Sequence, residues 1–144
     1  MNIDPQVLYF LDTNILVYAY DRSAGQKHSQ AAQWVQACWE NENGCLSLQV
    51  LQEFFVTVTR KIAAPLDAQT ARQIVADLAQ WRLHTPNAGD LLHAIDLQQN
   101  FRLAFWDAQV IQSAASLGCK QLLSEDLNHG QAYGEVQVIN PLKE

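Results

Sequence analysis

The chain of 144 residues has no apolar run approaching the roughly 20 residues that would span a bilayer. Its start, Met1-Asn2-Ile3-Asp4-Pro5, places no positive segment ahead of an apolar one, so a secretory leader is not expected and a cytoplasmic protein is. Cysteine is scarce. Cys38, Cys45 and Cys119 are widely spaced and form no Cys-x-x-Cys, which removes the zinc and thioredoxin-like readings and leaves buried thiols. Cys38 and Cys119 fall in helical patterns and Cys45 in a strand pattern. Positive charge is short too: 9 Lys and Arg against 15 Asp and Glu give a net charge of −6. That excludes a wide basic face gripping nucleic acid. It leaves room for a protein that meets phosphate through bound divalent cations, which invert the local electrostatics. No Gly-rich phosphate loop occurs, and no nucleophile elbow surrounds Ser113 or Ser116. His28, His84, His93 and His129 offer no ligand pair at helical spacing.

What remains is a compact composition, 49% hydrophobic and 17% charged, with no repeat, low-complexity tract or long linker. One domain over residues 1–144 is expected, large enough to bury a core. Val7 to Leu11 is a continuous apolar run, suited to a strand buried on both faces. Helical periodicity predicts helices over Thr13–Tyr20, Ser29–Glu40, Gln49–Lys61, Asp67–Gln80, Asn87–Gln99 and Ala108–Leu117. Gly44 is read as following the second helix and Asp67 as capping the fourth. Further strands are predicted at Cys45–Leu48, Trp81–His84, Gln121–Ser124 and Val136–Ile139, with a loop at Asn128–Gln131. Strands alternating with helices predict a three-layer α/β/α sandwich on a mainly parallel sheet of four or five strands. The helical pair between Gln49 and Gln80 exceeds what one crossover needs and offers room for a partner surface.

Four acids fall at the carboxyl ends of this pattern. Asp12 closes the first strand, Glu53 lies early in the helix after the second, Asp107 opens a helix, and Asp126 follows Gln121–Ser124. In an open parallel sheet, ligands bind beyond the strands' carboxyl ends. Carboxylates gathered there repel unless protons or cations intervene, so a hard-metal site for Mg²⁺ or Mn²⁺ is the economical reading. Each acid also has an ordinary alternative. Asp12 and Asp107 are placed to cap helices, Asp126 to cap a turn, and Glu53 points away from its helix's apolar stripe, toward either solvent or cleft. Thr13, Asn14 and Ser124 supply hydroxyls and an amide to orient the acids. Glu125 is either a further ligand or a solvated acid, with solvation favoured. Trp34, Trp39, Trp81 and Trp106 are read chiefly as packing residues, with base stacking the minority reading.

Tyr9-Phe10-Leu11-Asp12-Thr13-Asn14-Ile15-Leu16 resembles the opening of PIN domains, and Leu48-Gln49-Val50-Leu51-Gln52-Glu53-Phe54-Phe55 their second acidic motif. Phe105-Trp106-Asp107-Ala108 resembles the third and Leu123-Ser124-Glu125-Asp126-Leu127 the fourth, where Ser124 stands in place of a frequent Thr. The size is similar to that of the VapC toxins of bacterial toxin–antitoxin pairs. The resemblance implies a metal-dependent endoribonuclease in which Asp12, Glu53, Asp107 and Asp126 hold Mg²⁺ or Mn²⁺. It also implies an RNA substrate, a homodimer and a cognate antitoxin. The alternatives are a non-catalytic RNA-binding domain and a phosphoacceptor signalling domain. The latter would want a Lys at the end of a late strand, where this chain has Asn140-Pro141.

Overall fold

A computed structural model describes residues 3–142. At its centre lies β1 (Tyr9–Leu11), with all three side chains buried. β1 pairs in parallel with β2 (Gly44–Ser47) on one side and β4 (Gln121–Leu123) on the other. β3 (Arg82–His84) extends the sheet beyond β2, and β6 (Val136–Ile139) beyond β4, both in parallel. Periodicity anticipated these five strands. A sixth, β5 (Ala132–Tyr133), runs antiparallel along β6 at the sheet's edge, and two residues are too few to carry a readable alternation. The strand order is β3-β2-β1-β4-β6-β5.

Two α-helices fill each of the first three crossovers: α1 (Thr13–Tyr20) and α2 (Gln26–Asn41), then α3 (Leu48–Arg60) and α4 (Ala68–Leu78), then α5 (Ala88–Phe101) and α6 (Phe105–Ser116). Right-handed crossovers send the first two pairs to one face. After β3 the chain reverses across the sheet, so the third pair covers the other face. The contacts agree: α1 packs on α2 and α3, and α3 on α4, whereas α5 packs on α6, which lies against β2, β4 and β6. The expected α/β/α sandwich results. Because β2 and β4 flank β1 but are reached in opposite directions, the sheet's topological switch point lies between β1 and β4. Ligand crevices of open α/β sheets form there.

Helix starts follow the sequence where a side chain caps them. Asp67 accepts from the Thr70 N–H at 2.7 Å, and Asn87 forms a capping box with Asp90. Three boundaries differ in an instructive way. α2 begins at Gln26, three residues before the predicted Ser29, since the polar Gln26-Lys27-His28 turn carries no apolar mark for periodicity to detect. It ends with Glu42 in the left-handed region, φ 53°, so Gly44 is not its stop. Gly44 instead opens β2, where a Cβ would overlap the Trp81 ring. α6 begins at Phe105 with Ala104 as an uncapped start, so Asp107 sits inside the first turn and does not cap the helix. Cys119 lies past the Gly118 turn, outside any helix; all three cysteines are free and buried as expected.

Candidate functional site

Asp12 follows β1 directly and begins α1. Its backbone N–H donates to the Leu123 carbonyl at 2.9 Å, tying it to β4 across the switch point. The capping reading holds for this residue, and its second oxygen also makes a bond outside the helix. Oδ1 accepts the Thr13 N–H at 2.8 Å, while Oδ2 accepts the Ser124 hydroxyl at 2.8 Å. The side chain is only 7% exposed. Burial pushes its carboxyl up to about 6, against the lowering effect of the Ser124 and Thr13 bonds, with Asp107 and Asp126 adding repulsion.

The neighbouring residues hold the other acids. Asn14 Nδ2 donates to Asp126 Oδ2 at 3.0 Å, and Asn14 Oδ1 accepts the Glu125 N–H at 3.1 Å. Ser124 Oγ, while donating to Asp12, accepts the Asp126 N–H at 3.2 Å. Thr13 Oγ1 donates to Glu53 Oε1 at 3.2 Å, which places the exposed Glu53 at the cleft rim, where helical periodicity left its direction open. Asp107 arrives from the far face on the first turn of α6. Its carboxyl is held above the ordinary range by burial, then by Asp126 and Glu53. Asp12, Glu53, Asp107 and Asp126 therefore share one electrostatic neighbourhood.

Glu125 has a different task. Oε1 accepts the Tyr18 hydroxyl at 2.7 Å and Oε2 pairs with Lys27 Nζ at 2.7 Å, with the ammonium 5.1 Å from the Tyr18 ring centroid. Burial raises its carboxyl, but Lys27 and Tyr18 outweigh burial and hold it below the usual range. Both oxygens are engaged, so Glu125 anchors the loop that carries Asp126. It is neither a free ligand nor a solvated acid.

Among the described residues, no three Asp, Glu, His or Cys side chains converge closely enough to enclose an ion by themselves. Mg²⁺ does not require that, since it keeps several waters and uses one or two carboxylates directly. Two observations favour such a hydrated cation. The donor set is all oxygen, with a buried carboxylate under like-charge repulsion. Gln49, whose amide nitrogen bonds Glu53, has a buried Oε1 with no hydrogen-bond partner, an acceptor that a cation's water would satisfy. The residues present fit the ion.

Gln49 is the main residue that sequence reasoning missed. Its Nε2 donates to Glu53 Oε1 at 3.2 Å and lies 3.4 Å from the Trp106 carbonyl, linking α3 to the start of α6. The signal was present, since residues four apart share a helix face. Another arrangement only mimics a site. His84 Nδ1 lies 2.9 Å from Ser113 Oγ and Nε2 lies 3.1 Å from Asp90 Oδ2, in the order of a Ser-His-Asp relay. Ser113 is 0% exposed in mid-helix, so its hydroxyl can meet no substrate, and the chain of bonds ties β3, α5 and α6 together. Trp34 and Trp81 pack as expected, and Trp39 packs on Trp81, but Trp106 stays outside the core: it is 59% exposed and meets only the ring of its neighbour Phe105 among the described aromatic contacts.

The family model described as PIN domain matches residues 9–135. No curated protein matches the chain by sequence. Among solved structures, a toxin–antitoxin complex from Klebsiella pneumoniae superimposes with a TM-score of 0.69 at 18% identity, covering 92% of this chain and 97% of that one. VapBC2 from Rickettsia felis, bound to a DNA fragment from its promoter, gives 0.64 at 14% identity, covering 92% and 97%. VapC20 of Mycobacterium tuberculosis, a toxin that cleaves the sarcin–ricin loop, gives 0.61 at 17% identity, covering 82% and 89%. At these identities the likeness is one of fold.

Proposed function

Because the chain belongs to the PIN-domain family, we propose that it is a Mg²⁺- or Mn²⁺-dependent endoribonuclease, the toxin of a toxin–antitoxin pair. It works as a single domain over residues 1–144, in the cytoplasm. The observation that carries this reading is the buried Asp12 carboxylate. It is bonded to Ser124 and crowded by Asp107 and Asp126 at the switch point between β1 and β4. The fold shared with VapC20 and the two toxin–antitoxin complexes supports it.

Asp12, Asp107 and Asp126 would hold the cation. When bound, the divalent ion lowers the pKa of the attacking water and offsets charge on the phosphate. Asp12 is fixed from two sides by Thr13 and Ser124, so its free lone pairs face the crevice in one orientation. Asn14 aims Asp126 by its amide, and Glu125, clamped by Tyr18 and Lys27, holds the loop beneath it. Glu53 spends Oε1 on Thr13 and Gln49, which leaves Oε2 to orient the attacking water and take its proton. Attack on phosphorus breaks its bond to the 3′ oxygen of the preceding nucleotide, which takes a proton from solvent water, giving a 3′-hydroxyl and a 5′-phosphate. The chain acts as a homodimer, and a small antitoxin silences it by placing an Arg against the acids.

End-group mapping of total RNA after induced expression tests the reaction. Wild type should leave new 5′-phosphate and 3′-hydroxyl ends, and Asp12→Asn none. Cyclic 2′,3′-phosphate ends, or undiminished cleavage in excess chelator, would refute the mechanism. Co-expression of the adjacent reading frame should restore growth; persistent toxicity would refute the antitoxin assignment.

A further inference from the structure

Trp106 is the most exposed of the four tryptophans, at 59% against 38% for Trp39. Trp34 lies buried with its ring edge-on to Tyr9, and Trp39 and Trp81 pack on each other at 5.2 Å. Trp106 projects its indole into solvent at 59% exposure, although exposing so large an apolar surface is unfavourable. It is not loosely held. Phe105 packs against it at 5.0 Å and 74°, an edge contact that sets its tilt and leaves ring surface open. Its carbonyl faces Gln49 Nε2, the group that also binds Glu53, and the next residue is Asp107. The backbone that carries the indole is therefore tied to the same framework as the acids.

Resting on the nuclease reading above, we propose that Trp106 is a stacking platform for an unpaired nucleobase of the RNA, set on the rim of the acid cluster. Electrostatics favours this occupant. With 9 basic against 15 acidic residues, phosphate contacts and counterion release supply little affinity, and the acids themselves repel the backbone. Stacking on an aromatic face is independent of charge and tolerant of sequence, and every base offers a π-face. A base still paired in a duplex cannot offer its face to the indole.

The test measures binding and cleavage separately. Binding of a ten-nucleotide unpaired oligoribonucleotide, and of the same strand annealed to its complement, is measured in the Asp12→Asn background with Trp106, Trp106→Phe, Trp106→Leu and Trp106→Ala. Trp106→Ala should weaken binding of the unpaired strand about 5- to 150-fold, the range typical of one stacked base. Trp106→Phe should restore most of it, Trp106→Leu should not, and the salt dependence should be unchanged. Duplex binding should not respond. Equal affinity for all four chains, full rescue by Leu, or no measurable binding of the unpaired strand would overturn the proposal. So would loss of binding that tracks conversion to monomer in sedimentation, which would make the indole a subunit contact. Cleavage by chains with native Asp12 reports on the nuclease reading alone. An RNA that binds through Trp106 yet is never cut would overturn that reading and leave the platform standing.

Discussion

Replacing Asp12 by Asn should stabilise the metal-free protein while abolishing its activity. The side chain is 7% exposed and its carboxyl is raised from 3.8 to about 6, with burial the leading cause. A carboxyl whose folded pKa exceeds its unfolded value contributes stability that is complete below about pH 4 and is lost as pH rises through about 6. The shift corresponds to roughly 3 kcal/mol of destabilisation at pH 7.5 in chelator. Asn cannot ionise, so it escapes that penalty. It keeps the bond from the Thr13 N–H, but its NH₂ must face Ser124 Oγ, a loss of about 1 kcal/mol. The net gain is about 2 kcal/mol, near 6 °C in Tm at roughly 3 °C per kcal/mol for a chain of this size.

Thermal melts of both chains in chelator, from pH 4 to pH 8, decide the matter. The variant's advantage should be full at pH 7.5, shrink through pH 6 to 5, vanish at about pH 4.5 and turn into a deficit of up to about 1 kcal/mol below it. Millimolar Mg²⁺ should then raise the wild-type Tm by linkage and leave the variant nearly unmoved, reversing the order. A variant that melts at or below wild type at pH 7.5 in chelator, or a gap that ignores pH, would refute the burial argument. A wild-type Tm unaffected by metal would refute the cation site.

Two further predictions concern neighbouring parts of the molecule. Gly44→Ala should destabilise by about 1–3 kcal/mol, since the added methyl overlaps the Trp81 ring and lies 2.9 Å from Cys38 Cβ; an unchanged denaturation midpoint would show that Trp81 moves aside freely. Double-mutant cycles on the cleavage rate should couple Thr13→Val with Glu53→Gln, and Asn14→Ala with Asp126→Asn, while Thr13→Val and Asp126→Asn combine nearly additively. Coupling of the same size in all three pairs would dissolve the separate roles assigned to Thr13 and Asn14.

Legibility in the sequence tracked the physical signal each element carries. β1 was readable because burial on both faces demands an unbroken apolar run, and Tyr9-Phe10-Leu11 is one. Asp67 and Asn87 were readable as starts because capping is local chemistry. The first turn of α2 and the two residues of β5 were not, since neither carries a period. At the site, Asp12 announced itself by ending a buried strand. The directions of Glu53 and Glu125 stayed open because each depends on a partner distant in sequence: Thr13 lies 40 residues from Glu53, and Tyr18 lies 107 from Glu125. Trp106 was assigned to packing because aromatic residues at helical spacing usually pack, and only the three-dimensional exposure separates it from the other tryptophans.

Asp12-Thr13-Asn14 explains why so few residues suffice to gather acids from four elements. At the start of a helix successive side chains fan outward at about 100° each. Three neighbours therefore reach three directions from one point at the switch of the sheet. Asp12 turns to β4 and meets Ser124. Thr13 turns to α3 and holds Glu53, and Asn14 reaches the loop after β4 and holds Asp126. Asp107 alone comes from the far face, and Gln49 carries the connection to it through the Trp106 carbonyl. The bonds from Ser124, Thr13 and Asn14 each donate a hydrogen to a carboxylate oxygen, which offsets part of the repulsion among the acids without neutralising any of them. The bonds leave oxygens of Glu53 and Asp126 free. In the proposed reading, a divalent cation would supply the positive partner that these remaining oxygens lack.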